Sequence, residues 1–151
     1  MLYKKKPHLL IVGGTGFIGY HLALKAIKKK WKVTSVSLNK PKNYRYLKKV
    51  NYIITDISNL KKTEKKLNES FTHVVNLSGY VNHKLFRGRV DEIIKTHFLG
   101  LVNLLKIFKE RKILKFIQIG SSAEYGNTKA PQKENKDGKP NSSYGMAKLA
   151  S

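Results

Sequence analysis

Two residues near the end of the chain have the spacing of an acid–base pair. Tyr144 and Lys148 lie four residues apart in "SSYGMAKLAS", so on a helix they share one face. A tyrosine hydroxyl ordinarily titrates near ~10, and a neighbouring ammonium favours its charged form. A phenol held in this way can exchange a proton with a substrate oxygen while a hydride moves. The pair predicts redox-coupled proton transfer, although the same spacing also occurs on solvated helix faces.

A second group of residues has the spacing of a phosphate site. Gly13, Gly16 and Gly19 recur at steps of three in "IVGGTGFIGYH", between an apolar run and an amphipathic segment. In a strand–turn–helix unit, such glycines let backbone N–H groups approach a pyrophosphate at the helix N-terminus. The alternative is a turn that needs glycine only for its backbone conformation. The position in the first strand–helix unit favours the phosphate site.

The elements that must position these residues alternate along the chain. Apolar β-branched runs followed by helix-period stretches are typical of a parallel sheet with crossover helices. Strands are predicted at 8–12, 32–38, 50–56, 72–79 and 113–120, and helices from Phe17, after an N-cap at Ser58, from about Val90 to Glu110 and near Ser143. We therefore expect an α/β fold, a Rossmann-type doubly wound parallel sheet truncated after about five strands. Residues 1–151 are predicted to form one incomplete NAD(P)-binding domain without its C-terminal substrate domain.

Composition excludes several classes of protein. The 151 residues are 40% hydrophobic, which is enough for one domain with a real core. No cysteine is present, so disulfides and thiolate metal sites are excluded and a cytoplasmic location is expected. The five histidines show no paired metal-ligand spacing, so no metal is expected. No apolar run approaches the ~20 residues of a membrane span, and "HLLIV" is too short for a signal peptide.

The chain is strongly basic, with 31 Lys and Arg against 9 Asp and Glu and a net charge of +22. A clustered basic face would bind nucleic acid through its phosphates. The lysines are scattered in twos and threes over predicted helix surfaces and turns, and the sequence shows no aromatic platform. We expect the charge to steer a small anionic ligand, and we do not expect nucleic acid as the main partner.

The end of the second predicted strand indicates which dinucleotide is bound. An acidic residue there would hydrogen-bond the ribose of NAD, whereas a basic one suits the 2′-phosphate of NADP. The segment "SLNKPKNYR" has no Asp or Glu, and Ser37, Asn39 and Lys40 could hold a phosphate with help from Lys42 or Arg45. The sequence therefore favours NADP over NAD. The alternative is that these lysines are ordinary loop charges.

Together the motifs resemble the extended short-chain dehydrogenase/reductase superfamily, in its nucleotide-sugar-modifying epimerase/dehydratase branch. "GGTGFIG" is similar to the GxxGxxG signature of that superfamily, "NLSG" to its fourth-strand turn and "YGMAK" to its YxxxK motif. The resemblance covers essentially the whole chain. It implies that the cofactor is bound by Gly13, Thr15, Gly16, Phe17, Ile18, Gly19, Asp56, Ile57, Leu77, Ser78, Gly79 and Lys148.

The resemblance also implies a catalytic trio. In this superfamily a hydroxyl residue stands four positions before the tyrosine of a "YG" pair, and counting back from Tyr125 gives Ser121. By resemblance, Ser121 hydrogen-bonds the reacting oxygen, Tyr144 transfers the proton, and Lys148 binds the nicotinamide ribose and tunes the tyrosine.

Local departures from the family pattern narrow the activity. Sugar 4,6-dehydratases carry an Asp–Glu pair directly after the hydroxyl residue, where this chain has "SA". Glu124 comes one position late and is expected to point elsewhere, so dehydration is not expected. "THFLGLVNLLK" resembles the N-x-x-G-T-x-N-L-L pattern, with Asn103 in place but His97 and Leu101 at the positions of the first Asn and the Thr.

We therefore expect an NAD(P)-dependent oxidoreductase or epimerase that acts at C4 of a nucleotide-linked sugar, and the nucleotide-sugar reductases are the most similar subclass. This chain alone is expected to be inactive, and the full-length protein to be a homodimer. The alternative is a non-catalytic dinucleotide-binding module with a basic surface for nucleic acid. Tyr144→Phe would separate the two, because it would abolish reduction and leave a binding module unaffected.

Overall fold

A computed structural model describes residues 6–79 and 90–151. In these ranges the strands are β1 His8–Val12, β2 Lys32–Ser37, β3 Val50–Ile54, β4 His73–Asn76 and β5 Lys115–Gln118. The α-helices are α1 Phe17–Lys28, α2 Leu60–Lys66, α3 Val90–Ile94, α4 Gly100–Phe108 and α5 Ser143–Ala150. A π-helical turn, Lys95–Leu99, joins α3 to α4, and short 3₁₀ turns lie at Asn43–Arg45 and Ser122–Tyr125.

The strands form one parallel sheet in the order β3-β2-β1-β4-β5. The chain starts in the centre with β1, moves outward through β2 and β3, and then crosses back to β4 on the other side. A crevice opens outside the carboxyl ends of the strands where the winding reverses, here between β1 and β4. The predicted Rossmann-type doubly wound parallel sheet is confirmed.

An apolar core covers each face of the sheet, and the central strand β1 is therefore buried on both sides. Leu10 and Val12 point into the core under α2 and α4, where Leu104 is completely buried. Leu9 and Ile11 point the other way, into the core under α1. The alternation follows the two-residue period of a strand, and each fully buried Leu or Ile contributes about 1.5–3 kcal/mol relative to leaving it exposed.

The element boundaries differ from the predictions in small ways. Helix α2 is capped by Asn59, whose Oδ1 accepts the Lys62 N–H at 3.0 Å, and the predicted cap Ser58 is wrong by one residue. The Ser58 N–H instead donates to Asp56 Oδ1 at 2.9 Å. Strands β4 and β5 are shorter than predicted because the chain turns away from the ladder to form the loops of the carboxyl edge.

His8 joins the first strand to its surroundings at the opposite edge of the sheet. Its side chain is buried, its Nδ1 donates to the Ser70 carbonyl at 2.9 Å, and its Nε2 accepts from the Thr34 hydroxyl at 2.9 Å. Burial lowers the pKa of His8, and the bond to Ser70 and the Glu69 carboxylate only partly oppose this shift. The fold therefore favours the neutral imidazole.

This buried imidazole predicts a pH dependence of stability. Between the lowered folded pKa of His8 and the ordinary value near ~6.5, the unfolded chain binds more protons, so the free energy of unfolding falls as pH drops below ~6.5. We expect His8→Gln to flatten this part of the profile in urea unfolding, and His21→Asn, at an exposed position on α1, to retain it. Identical slopes for the wild-type chain and His8→Gln would contradict the assignment.

Candidate functional site

A cavity of about 510 Å³ lies at the carboxyl edge of the sheet, beside the crossover between β1 and β4. Ten residues predicted to bind the cofactor line it: Gly13, Thr15, Gly16, Ser37, Asn39, Asp56, Ile57, Leu77, Ser78 and Gly79. The sequence did not single out five others, namely Val12, Val36, Leu38, Thr55 and Thr96. Four strand ends distant in sequence thus converge on one cavity, because parallel strands present all their carboxyl ends at one edge, and Thr96 of the π-helical turn is a fifth part of the lining.

The glycine turn brings backbone against backbone at this cavity. Gly13 has φ +82°, and a Cβ there would lie 3.0 Å from the Leu77 carbonyl carbon. A Cβ on Gly19 would lie 2.5 Å from the Gly14 Cα, so α1 can begin against the turn only with glycine at that position. Gly16 precedes α1 with no side-chain cap, so the first N–H groups of the helix have no side-chain acceptor there. These features suit an anion that approaches the backbone closely.

Five predicted cofactor-binding residues lie outside the lining. Phe17 and Ile18 occupy the first turn of α1 with 65% and 61% of their surface exposed. Gly19 packs against the backbone of Gly13 and Gly14 in the turn, and Lys40 is an exposed residue after β2. Lys148 lies on α5, near the end of β5. The structure therefore gives these residues supporting or peripheral places around the cavity.

The side chains after β2 do not converge on one phosphate group. Ser37 Oγ accepts the Thr15 N–H at 3.2 Å and so helps hold the glycine turn. Lys42 Nζ lies 5.9 Å from the Tyr44 ring centroid, and the Arg45 guanidinium lies 5.3 Å from the same centroid. These two cations pack against aromatic rings and do not line the cavity.

The catalytic trio predicted by resemblance surrounds the end of β5. Tyr144 and Lys148 lie one turn apart on α5, and Lys148 is buried with its Nζ donating to the Ile119 carbonyl at 2.9 Å. Ser121 follows Ile119 by two residues and caps the 3₁₀ turn. Burial lowers the pKa of Lys148, and the Glu124 carboxylate opposes this shift. A buried ammonium and a serine hydroxyl are thus placed at the same strand end.

Glu124 also belongs to the group of side chains at the end of β5, and sequence reasoning did not identify it. Its Oε1 accepts the Ser121 N–H at 2.6 Å while Ser121 Oγ accepts the Ala123 N–H at 3.2 Å, which makes a capping box. A Cβ on Gly120 would lie 2.8 Å from Glu124 Oε1, so that glycine leaves room for the carboxylate. Glu124 was expected to point elsewhere, but it turns back onto the Ser121 turn. Its spacing of three from Ser121 was the available signal.

His97 connects the cavity to Tyr144. The imidazole is buried in the π-helical turn, and its centroid lies 5.2 Å from that of the Tyr144 ring at an interplanar angle of 83°. On the other side the ring is so close to Gly79 that a Cβ there would overlap His97 Cε1. The sequence marked His97 as a departure from the family pattern, but its contacts follow only from the fold.

Asn103 matches the family pattern in "THFLGLVNLLK". It supports the segment after β3 that the resemblance assigns to binding adenine. Its Nδ2 donates to the Ile57 and Ser58 carbonyls at 2.9 and 2.8 Å. Because Asp56 directly precedes these residues, Asn103 fixes the turn that places Asp56 at the cavity. Both N–H groups of this buried side-chain amide thus have an acceptor.

Within residues 6–79 and 90–151, no group of three His, Asp or Glu side chains is placed to hold a metal ion. His83, one of the histidines considered in the sequence, lies outside the described residues. The helices of the described part of the chain are all too short or too polar to cross a membrane.

A family model described as the NAD dependent epimerase/dehydratase family matches residues 9–151. The UDP-glucose 4-epimerase of Thermotoga maritima, solved with UDP-glucose, is 26% identical, with TM-score 0.87 over 95% of this chain and 48% of its own. The ADP-L-glycero-D-manno-heptose-6-epimerase of Helicobacter pylori is 28% identical, with TM-score 0.81 over 96% and 49%. The chain thus spans about half the length of these structures. No curated protein matches the sequence significantly.

The expectation that NADP is favoured over NAD is wrong. The matching family is NAD dependent by description, and the UDP-glucose 4-epimerase of Thermus thermophilus, which is 24% identical with TM-score 0.84 over 95% of this chain and 48% of its own, was solved as a complex with NAD. The physical reason is visible after β2, where Ser37 serves the glycine turn and the cations pack on rings. Basic residues near a strand end were mistaken for a phosphate site.

The Ser121 turn yields a prediction about stability. Glu124→Ala removes one half of the capping box, so we expect the free energy of unfolding to fall by about 1–2 kcal/mol. Glu124→Gln keeps an acceptor oxygen and should lose less. Glu134→Ala, at an exposed position before α5, is the matched control and should stay within about 0.5 kcal/mol of wild type. Urea unfolding measures all three, and equal effects at both glutamates would contradict the role of Glu124.

Proposed function

The chain belongs to the NAD dependent epimerase/dehydratase family, and on that premise we propose that it is the cofactor-binding part of an NAD-dependent enzyme that epimerises a nucleotide-linked sugar at C4. One observation carries the proposal: the glycine-walled cavity and the Tyr144–Lys148 pair lie at the same edge of the sheet, joined through His97.

The residues of the cavity fit NAD. Gly13 has a positive φ and a Cβ there would press on the Leu77 carbonyl, so the turn favours glycine and its backbone can approach a pyrophosphate closely. Thr55 lines the cavity with a buried hydroxyl that lacks a hydrogen-bond partner within the described residues, and a bound ligand would supply one. Asp56 and Ile57 would hold the adenine side, and the β4 turn the nicotinamide side.

The chain's own residues would then manage the protons. Bound NAD would accept a hydride from the sugar and return it. Tyr144 would take the proton of the sugar hydroxyl and give it back, Ser121 would hydrogen-bond the same oxygen, and Lys148 would hold the nicotinamide ribose. The ring contact with His97 supports this role, because it limits the orientations open to the Tyr144 phenol.

Epimerisation is favoured over dehydration because "SA" follows Ser121, so no carboxylate stands at the two positions where elimination of water would need one. The Thermotoga maritima enzyme, which was solved with UDP-glucose, supports a UDP-hexose as the substrate. Reduction of a 4-keto sugar uses the same hydride and proton positions and is the second candidate. The segment "GSSAEYG", which contains Ser121 and resembles the same segment of the reductases, favours this reduction.

The homodimer expected for the full-length protein remains a prediction. Exposed apolar side chains support it, since large exposed patches mark interfaces. On the helices between β4 and the end of the chain, these side chains are Ile94, Phe98, Leu99, Leu105, Met146 and Leu149, with 38–57% of their surface exposed.

Cofactor binding is the first test. We expect NADH to bind this chain more tightly than NADPH, as followed by NADH fluorescence. Gly19→Ala should weaken NADH binding at least tenfold, because its Cβ would lie 2.5 Å from the Gly14 Cα and displace the turn. Lys25→Ala, exposed on the same helix, is the control and should bind as wild type. Equal affinity for NADH in both variants would contradict the phosphate role of the turn.

Chemistry is the second test. With the full-length protein, NAD and UDP-galactose, chromatography should detect UDP-glucose, and Tyr144→Phe should slow its formation by about 10²- to 10⁴-fold. NADH binding should be unchanged in this variant, because the phenyl ring keeps its packing against His97. NADH oxidation by a 4-keto sugar without epimerisation would favour the reductase. NADH binding without turnover of either sugar would favour the non-catalytic module.

A further inference from the structure

More than half of the net positive charge of the chain lies in its first third, because that part has no acidic residue. From Met1 to Thr55 the sequence contains 13 Lys and Arg and no Asp or Glu, and all 9 acidic residues follow. This stretch includes α1, β2 and the connection from β2 to β3. Within the described residues, its Lys32 pairs with Glu69 at 2.8 Å, and no other lysine or arginine of the stretch forms an ion pair. The resulting field attracts anions.

Exposed aromatic rings lie on the same part of the surface. Phe17 is 65% exposed, Tyr44 68% and Tyr46 58%. The Arg45 guanidinium joins two of them, since it lies 5.8 Å from the Phe17 centroid and 5.3 Å from the Tyr44 centroid, and Lys42 Nζ lies 5.9 Å from the Tyr44 centroid. We call Phe17, Lys42, Tyr44, Arg45 and Tyr46 the cation–aromatic surface.

The cation–aromatic surface is held in place by the fold. Tyr46 stacks on Tyr52 with centroids 5.6 Å apart, and the Tyr52 hydroxyl accepts the Leu47 N–H at 3.0 Å. Phe17 is fixed at the start of α1, where its ring meets that of His21 at 4.7 Å. The sequence shows "KNYRY" as a polar connection, and the approach of Phe17 from another element becomes visible only in three dimensions.

The chemistry of this surface matches one class of partner. Aromatic rings and guanidinium planes stack on bases whatever their sequence, while neighbouring cations bind the phosphates between them. A lipid surface would select an amphipathic helix with an aliphatic face, and an acidic peptide would use the cations without needing three exposed rings. We propose that the cation–aromatic surface binds single-stranded nucleic acid, with bases on the rings of Tyr44 and its neighbours and phosphates on Lys42 and Arg45.

The residues replaced in the test below lie outside the cavity of the proposed function. Lys42, Tyr44, Arg45 and Tyr46 do not line the cavity. Loss of either property therefore leaves the other measurable, and NADH binding reports whether each surface variant has kept its fold.

The test is fluorescence anisotropy of a labelled oligo-dT of about 20 nucleotides with this chain, between about 50 and 300 mM salt. We expect a Kd in the micromolar range or tighter at low salt. Lys42→Ala/Arg45→Ala should weaken binding at least tenfold and lower the salt slope by about 1.4, since each single-strand phosphate contributes about 0.7. Tyr44→Ala should weaken binding about tenfold with the salt slope unchanged, because it removes stacking and no charge.

The matched control is Lys133→Ala/Lys136→Ala, which removes two exposed lysines from the segment between β5 and α5. It should change the affinity less than about threefold, since it removes the same charge from another face. If the two double variants lose affinity for oligo-dT equally, or if Tyr44→Ala binds as wild type, then net charge alone explains the binding and the proposal is overturned. Absence of oligo-dT binding, or tighter binding to phosphatidylserine vesicles or polyglutamate that depends on Tyr44, would also overturn it.

Discussion

The carboxyl edge of this protein depends on the close approach of two backbone turns. The Gly13 N–H donates to the Val36 carbonyl at 2.7 Å, and the Leu77 N–H donates to the Val12 carbonyl at 2.8 Å. The first bond continues the parallel ladder one residue past β1 and the second one residue past β4, and a Cβ at Gly13 would press on the Leu77 carbonyl. Beyond this point the segments that follow β1 and β4 diverge, because α1 and α4 pack on opposite faces of the sheet. The cavity is the space left by that divergence.

A similar close approach fixes the predicted catalytic residues at the end of β5. Gly145 of α5 packs so near the Ser121 turn that a Cβ there would lie 2.5 Å from the Ala123 carbonyl oxygen. This docking buries Lys148, and burying an ammonium is costly unless it is hydrogen-bonded and has a compensating charge nearby. The Ile119 carbonyl provides the hydrogen bond and Glu124 the charge. Glu124 therefore serves two purposes, since the carboxylate that caps the Ser121 turn also stabilises the cation beside it.

Much of the fold and part of the site could be predicted from patterns local in sequence. Five apolar runs and a glycine-spaced turn are enough to place the strands of a doubly wound sheet, and most cavity residues follow because they end those strands. The cap of α2 was missed because Ser58 and Asn59 are both good caps, and only the Asp56 side chain decides between them. The contact of His97 with Tyr144 could not be predicted, since it joins residues 47 positions apart across a π-helical turn. The error on NADP has the same origin, because a basic sequence does not say where its side chains point.

The same positive field acts on every anion near this protein, so charge alone cannot determine what binds where. At the cavity, selection comes from the backbone: glycines without side chains and an uncapped helix N-terminus suit a pyrophosphate that must come close. At the cation–aromatic surface, selection comes from side chains: exposed rings between cations suit flat bases that alternate with phosphates. The two sites meet at the start of α1, where Gly16 lines the cavity and Phe17, the next residue, turns outward. A helix start of this kind would separate the two proposed anionic ligands by shape, with the backbone side facing one and the side-chain side facing the other.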